Sequence, residues 1–316
     1  MTLQETEIKI KEMELEIFKL HENLDNDCTK QIQELEKKKQ ELEEHAYQNL
    51  SNYDRVYLAR KKDRPNVYEY IENIFDNFIE FHGDRLYNDD GSIVGGIATF
   101  NEQTITVIGQ KKGRTLEENL KCNFGMSSPE GYRKALRLMK QAEKFHRPII
   151  TFIDTPGAFP GLEAEENGIG EAIARNLMEM STLSVPVIAI IIGEGGSGGA
   201  LALSVADRIV MLENAIYSVL SPEGFASILW KDKDGSRVQE AIDVMKLTSH
   251  DLLHMQIIDK VIKEPPGGVT QDREYVYKRV RIYLKDQLLE LSKLSKQVLL
   301  SKRYEKYRRI GGMENE

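Results

Sequence analysis

Val185-Pro186-Val187-Ile188-Ala189-Ile190-Ile191-Ile192 runs straight into Gly193-Glu194-Gly195-Gly196-Ser197-Gly198-Gly199-Ala200 and on to Leu201-Ala202-Leu203. A short, continuously apolar run rich in β-branched residues predicts a strand over 185–192 covered on both faces, as in a parallel sheet. The Ala-Leu pattern that follows predicts a helix beginning at Ala200 and running to about 205. Between them lies a run of glycines, which lets the main chain approach a ligand closely. The first N–H groups of a helix have no intrahelical acceptor, so this strand-to-helix junction offers free donors to an anionic oxygen. Donors aimed at charge that develops during a reaction stabilise an enolate or tetrahedral oxyanion.

The same alternation extends in both directions. Ile93-Val94-Gly95-Gly96-Ile97-Ala98-Thr99-Phe100 and Thr104-Ile105-Thr106-Val107-Ile108 predict two strands joined by a polar turn. Ala135, Leu138, Met139 and Ala142 predict a helix over 130–146, and Pro148-Ile149-Ile150-Thr151-Phe152-Ile153 another buried strand. A helix over 171–180 and a strand over 208–212 complete an α/β layered domain. Upstream, no glycine precedes Gly83 and no proline precedes Pro65. Ile10, Met13, Ile17, Leu20 and Leu24 keep helical spacing, and Ile32, Leu35 and Leu42 resume it after Asp25-Asn26-Asp27. Two amphipathic helices joined by a turn are expected, either capping the main domain or meeting a partner. Downstream of Gly267-Gly268, Val276, Val280, Tyr283, Leu284, Leu288, Leu291, Leu294 and Val298 predict a charged helical tail. The expected division is a helical segment over 1–62, a central domain over 63–268 and the tail over 269–316.

Composition narrows the function classes. A net charge of -8 lacks the basic excess of a nucleic-acid binder. Lys37-Lys38-Lys39, Arg60-Lys61-Lys62 and Arg308-Arg309 read as solvated faces or salt-bridge partners. Two distant cysteines, Cys28 and Cys122, make neither a disulfide framework nor a four-ligand zinc site, so no metal is expected and a reducing compartment is. The first eleven residues lack the apolar core of a signal peptide, and the longest apolar run is too short to span a bilayer. A cytoplasmic protein is expected.

Three competing motif readings fail on chemistry. Gly195-x-Ser197-x-Gly199 fits a nucleophile elbow, but only His250 and His254 follow, four residues apart on an expected helix. Ile153-Asp154-Thr155-Pro156-Gly157 imitates a GTPase metal loop, yet the phosphate-cradling glycine-lysine loop of those enzymes is nowhere in the chain. Val244-Met245-Lys246-Leu247 imitates a biotinylated lysine, which sits on a hairpin tip rather than in the helix expected here. Asp154-Thr155-Pro156-Gly157-Ala158-Phe159-Pro160-Gly161 follows a buried strand and is rich in turn formers, the kind of loop that builds ligand crevices in α/β proteins. Glu163, Glu165 and Glu166 read as dipole-complementing charge near a helix start. Ser221-Pro222-Glu223-Gly224 reads as another strand-end turn, and Lys111-Lys112-Gly113-Arg114 as a basic turn facing an anionic group or solvent.

In order and spacing the chain resembles the alpha subunit of bacterial acetyl-CoA carboxylase carboxyltransferase. The matching residues are Arg64-Pro65, Tyr70-Ile71, Phe81-His82-Gly83-Asp84-Arg85, Val107-Ile108-Gly109, Lys112-Gly113-Arg114, Asn123-Phe124-Gly125-Met126 and Pro129-Glu130-Gly131-Tyr132-Arg133-Lys134-Ala135, with Phe152-Ile153-Asp154-Thr155-Pro156-Gly157-Ala158, the glycine run, Tyr217-Ser218-Val219 and Ser221-Pro222-Glu223-Gly224. The likeness spans 64–268. Phe159 stands where the family pattern has tyrosine, Asn167 and Ile169 replace more polar residues, and the tail diverges.

The resemblance implies a crotonase/ClpP-like fold of repeated ββα units with an N-terminal helical hairpin and a helical tail. It implies an α2β2 carboxyltransferase whose beta subunit carries a zinc ribbon and most of the CoA site. The carboxyl group passes from carboxybiotin, held on a biotin carboxyl carrier protein charged by biotin carboxylase, to acetyl-CoA, giving malonyl-CoA for fatty-acid synthesis. The lack of a cysteine cluster suits the alpha role and disfavours a fused chain. On this reading the backbone amides of Gly198, Gly199 and Ala200 stabilise the ureido oxygen, and Gly195 and Gly196 shape the approach. Asp154, Thr155, Pro156, Gly157, Ala158 and Phe159, with Ser221, Pro222, Glu223 and Gly224, line the substrate crevice. The released ureido oxyanion serves as base, so no histidine is required. A Gly199→Val variant is expected to fold and assemble but lose transfer. A stand-alone acyl-CoA hydratase, isomerase or thioesterase of the crotonase type is the alternative, and a non-catalytic helical scaffold a third.

Overall fold

The computed structural model describes residues 2–22 and 28–312; the expected turn at Asp25-Asn26-Asp27, with Leu24, lies outside the described residues. The chain opens with helices α1 (Leu3–Glu22), α2 (Thr29–Gln48), α3 (Asn52–Ala59) and α4 (Val67–Ile74). Strands β1 (Asp76–Glu80), β2 (Ile93–Phe100) and β3 (Gln103–Gln110) lead through α5 (Leu116–Lys121) and α6 (Pro129–Lys144) to β4 (Ile149–Thr155). Next come α7 (Leu162–Glu166), α8 (Ile169–Thr182), β5 (Val187–Gly196), the one-turn α9 (Ser197–Leu201), β6 (Arg208–Leu212) and β7 (Ile216–Ser218). The chain closes with α10 (Pro222–Trp230), α11 (Val238–Met245), α12 (Ser249–His254), β8 (Lys260–Ile262), α13 (Arg273–Leu291) and α14 (Lys296–Arg309).

One mixed sheet, ordered β1-β2-β3-β4-β5-β6-β8, organises these elements, with β7 added beside the far end of β5. β1, β2 and β3 are antiparallel, and the ladder turns parallel from β3 onward. Every residue of β4 and β5 is buried, which is why their sequences are apolar without alternation. The covering helices read from the glycines: a Cβ on Gly95 would strike Leu138 of α6, and one on Gly109 would strike Val67 of α4. Gly95 pairs with Ile108, so Gly109 faces the opposite side, and α6 and α4 cover opposite faces.

Two boundaries differ from the sequence expectation, and both bear on the site. β5 continues to Gly196 because Glu194, Gly195 and Gly196 pair with Ile216, Tyr217 and Ser218 of β7, giving the glycines ladder partners that no local pattern reveals. The helix expected from Ala200 begins three residues earlier, at Ser197, and ends after one turn.

The N-terminal hairpin sits against α3. Glu7 accepts hydrogen bonds from Tyr57 Oη (2.8 Å), Tyr47 Oη (3.0 Å) and Lys61 Nζ (3.0 Å), and Leu3 N–H donates to Asp54 Oδ1 at 2.8 Å. α1 buries Leu3, Thr6 and Ile10, whereas α2 buries none of its residues.

Candidate active site

The parallel pair β4 and β5 delivers both candidate segments to one end of the sheet, and only glycine permits how closely they meet. A Cβ on Gly196 would lie 2.1 Å from Pro156 O, and one on Gly199 would lie 2.6 Å from Ala158 N and Gly157 C. The loop after β4 therefore lies backbone to backbone on the glycine junction. Its shape is held by Thr155, whose buried hydroxyl is 2.7 Å from both Gly125 O and Gly157 O and accepts the Gly157 N–H at 3.1 Å. Phe159 N–H donates to Ser127 O at 3.0 Å, and the Phe159 ring covers Gly161.

Ser197 takes a left-handed φ of 54° and is exposed, Gly198 is half-exposed, and Gly199 and Ala200 are buried. α9 has no side-chain cap, and the amides of its first three residues, Ser197, Gly198 and Gly199, have no acceptor within the helix. The backbone thus has the elbow shape that the Gly-x-Ser-x-Gly motif anticipates. The chemistry is absent among the described residues: Ser197 has no histidine partner, and His250 faces Glu213 at 3.6 Å instead.

Ser221-Pro222-Glu223-Gly224, expected as a strand-end turn, is the capped start of α10, with Ser221 Oγ accepting the Gly224 N–H at 3.0 Å. Glu223 reaches the junction through Arg60, whose Nη1 lies 2.8 Å from Glu223 Oε1 and whose Nε lies 2.8 Å from Glu194 Oε1. On the other side Lys112 Nζ lies 3.1 Å from Glu194 Oε2 and 2.9 Å from Asp154 Oδ1. Asp154 Oδ1 also accepts the Glu194 N–H at 3.0 Å. This chain of alternating charge joins the ends of β4 and β5 to α10. Sequence reading missed Arg60 and Glu194 as site residues and left Lys112 open between an anion and solvent. Their partners are far away in the chain, and local charge patterns read as surface.

Burial pushes the Glu194 carboxyl up, and Lys112 followed by Arg60 more than offset this, holding it below its usual range. Burial opposes the Lys112 charge, and Asp154 and Glu194 outweigh it, raising that group. A depressed carboxylate contributes stability that is fully present above the unfolded value of about 4.3 and lost as pH falls through the folded value. In Lys112→Met, Arg60 remains as the nearest cation to oppose burial at Glu194. The variant is therefore expected to melt below the parent near neutral pH and to lose less of its melting temperature than the parent as pH falls below about 4, and midpoint-against-pH curves that coincide or run parallel would contradict this.

A mixed sheet wrapped by helices, with a glycine junction laid on the neighbouring strand's loop, is the crotonase-like fold also seen in solved carboxyltransferases. The fold of this chain is similar to that of transcarboxylase 12S, solved with methylmalonyl-coenzyme A and methylmalonic acid, at a TM-score of 0.59 and 17% identity. That match covers 77% of this chain and 44% of the transcarboxylase chain. The model of the family described as acetyl co-enzyme A carboxylase carboxyltransferase-like matches residues 3–311. The acetyl-coenzyme A carboxylase carboxyl transferase subunit alpha of Clostridium acetobutylicum is 59% identical over 270 residues, covering 85% of this chain and 98% of the relative. A relative from Natranaerobius thermophilus named as subunits beta/alpha is 59% identical over 262 residues, which are 83% of this chain and 43% of that one. The chain belongs to the acetyl-CoA carboxylase carboxyltransferase alpha-subunit family.

Proposed function

We propose that this chain forms the carboxybiotin side of a carboxyltransferase site that a beta subunit completes, with acetyl-CoA as acceptor and malonyl-CoA as product. Carboxybiotin, carried on a separate carrier protein that biotin carboxylase charges, supplies the carboxyl group, and negative charge gathers on its ureido oxygen as the group leaves. The Gly198 and Gly199 amides are the donors that stabilise that charge, in a crevice bounded by the loop 154–159 and by 221–224 within the domain 63–268, whereas Ala200, expected as a third donor, is the fourth residue of α9 and its N–H makes the first bond inside the helix. The observation that supports this reading is the backbone contact of Pro156, Gly157 and Ala158 with Gly196 and Gly199, which brings the loop after β4 against the point where β5 passes into α9. Gly198 has room above it, since a Cβ there meets nothing nearer than Ile173 at 3.6 Å. That space is what a planar ureido ring needs to reach the amides.

Two features support a second subunit. Val219, Ile228 and Leu229 are 84%, 59% and 60% exposed on the segment that follows β7, the strand paired to the glycine end of β5. The fused beta/alpha relative supports equal pairing of the two kinds of chain. No helix among the described residues is long and apolar enough to cross a membrane.

Purified chain mixed with malonyl-CoA and biocytin, with and without a zinc-ribbon beta partner, tests the proposal through acetyl-CoA release. Release only with the partner is expected. Release without it would favour a stand-alone acyl-CoA enzyme, and none in either mixture would favour a scaffold.

A further inference from the structure

Two basic stretches, Arg60-Lys61-Lys62 after α3 and Lys112-Gly113-Arg114 after β3, meet at one cavity of about 200 Å³. Arg60, Lys61, Lys62, Arg64, Lys112 and Arg114 line it, against a single carboxylate, Asp154. Lys112 and Asp154 also belong to the charge chain described above, so the cavity neighbours the junction. Five of the six cations hold carboxylates that lie outside the wall: Arg60 holds Glu194 and Glu223, Lys61 holds Glu7, Arg64 holds Glu264, Lys112 holds Glu194, and Arg114 holds Glu69. The wall itself is therefore basic. Lys62 is exposed and has no ion pair or hydrogen bond among the described residues. An aromatic ring completes the lining. Phe124 is 46% exposed, and its φ of 56° is left-handed, between Asn123 at 47° and Gly125 at 83°. A bulky residue keeps that conformation only where its surroundings impose it. Here Gly125 O accepts from Thr155 Oγ1 at 2.7 Å, and the Gly125 and Met126 N–H groups close turns on Cys122 O and Asn123 O.

We propose that this cavity is a nucleoside phosphate site, with a phosphate group among the cations and the base against the Phe124 ring. At about 200 Å³ it is smaller than pockets that enclose a whole small molecule, so it takes one phosphorylated end of a molecule that extends beyond it. Phosphate oxygens accept charge-assisted hydrogen bonds from Arg and Lys, and Lys62 has no carboxylate to release first. An exposed aromatic face stacks on a base whatever its identity. A solvated basic face accounts for the lysines but not for an aromatic ring kept in a left-handed backbone at the same cavity. Two sources share this chemistry: the adenosine phosphate end of the acyl-CoA proposed above, and a free nucleotide. The site does not depend on the donor role of the junction.

Calorimetry on the purified full chain, without a beta partner, reads binding of two probes, adenosine 3′,5′-bisphosphate and inorganic pyrophosphate. Lys62→Ala is expected to weaken both by about tenfold or more, the scale of one charge-assisted hydrogen bond. Phe124→Asn puts in a residue that tolerates left-handed backbone. It is expected to weaken the bisphosphate by about fivefold or more, the scale of one stacked base, and to keep pyrophosphate within about twofold. Lys38→Ala, at an exposed position of α2, is the control for unspecific attraction. No binding by the parent, or equal affinity in the parent, Lys62→Ala and Lys38→Ala, overturns the proposal. A bisphosphate affinity untouched by Phe124→Asn overturns it as well, because the ring then takes no base. Kinetics of the complex with its beta partner identify the source. A KM for malonyl-CoA that rises in Lys62→Ala, beside an unchanged KM for malonyl-pantetheine, which carries no phosphate, assigns the site to the acyl-CoA. An unchanged KM for malonyl-CoA beside the loss of probe binding assigns it to a free nucleotide. Absence of transfer by the complex would remove the proposed reaction and leave the probe result to decide the site.

Discussion

Gly198→Leu is expected to fold, to assemble with its partner and to lose transfer by at least about a hundredfold, the scale of one removed oxyanion donor. The fold tolerates the change because a Cβ at 198 meets only the Ile173 methyl carbons at 3.6 and 3.8 Å, ordinary contact distances. Gly198 is not among the glycines with positive φ, and leucine is the better helix former. The added side chain grows from a half-exposed position next to the opening amides, where the ureido oxygen is proposed to sit. Malonyl-CoA and biocytin exchange by the gel-filtered complex measures the effect, and near-parent turnover would sink the assignment. Gly199→Val, the variant that sequence alone favours, tests something else. Its Cβ would press on Ala158 N and Gly157 C at 2.6 Å and on Tyr132 Oη at 2.8 Å. Two of these are backbone atoms that cannot swing aside, so Gly199→Val is expected to disturb the loop and the local fold along with activity.

Arg303→Met is expected to cost about 3–5 kcal/mol of unfolding free energy, the range for breaking a buried ion pair on one side. Arg303 is 1% exposed. All five of its N–H groups are used: Nε and Nη2 grip Asp207 at 2.9 and 2.7 Å, Nη1 donates to Met180 O and Leu183 O at 2.8 Å each, and Nη2 also reaches Val185 O at 3.1 Å. Methionine fills the space but leaves a buried carboxylate and three carbonyls without these donors. Urea unfolding of parent and variant measures the difference, and a loss below about 1 kcal/mol would show that water or rearrangement replaces the guanidinium. Because the clamp grips the chain just before β5, it also ties the C-terminal helix to the strand that ends in the glycine junction.

Sequence reading reached the architecture through β4 and β5, whose unbroken apolar runs can only be strands covered on both faces. It also picked out the glycine run and the 154–159 loop as separate candidates. It misjudged where β5 stops, because glycine has weak strand preference and the pairing with β7 is made by residues more than twenty positions on. Ser221 to Gly224 was misread for the opposite reason: Ser-Pro-Glu-Gly suits a turn and a capped helix start equally, and Ser221 Oγ on the Gly224 N–H decides between them.

The order of residues alone determined a parallel-centred α/β sheet, a glycine-rich passage from strand to helix and membership of a carboxyltransferase family, because apolar periodicity, glycine spacing and motif order are properties of neighbours along the chain. Tertiary structure alone decided that Arg60 meets Glu194, that Lys112 bridges Asp154 and Glu194, that Gln110 holds Gly199 and that Arg303 is interior. These partners stand 134, 82, 89 and 96 residues apart. A charged or amide side chain looks the same in sequence whether water or a buried partner satisfies it, and only the folded chain brings the partner within hydrogen-bond reach.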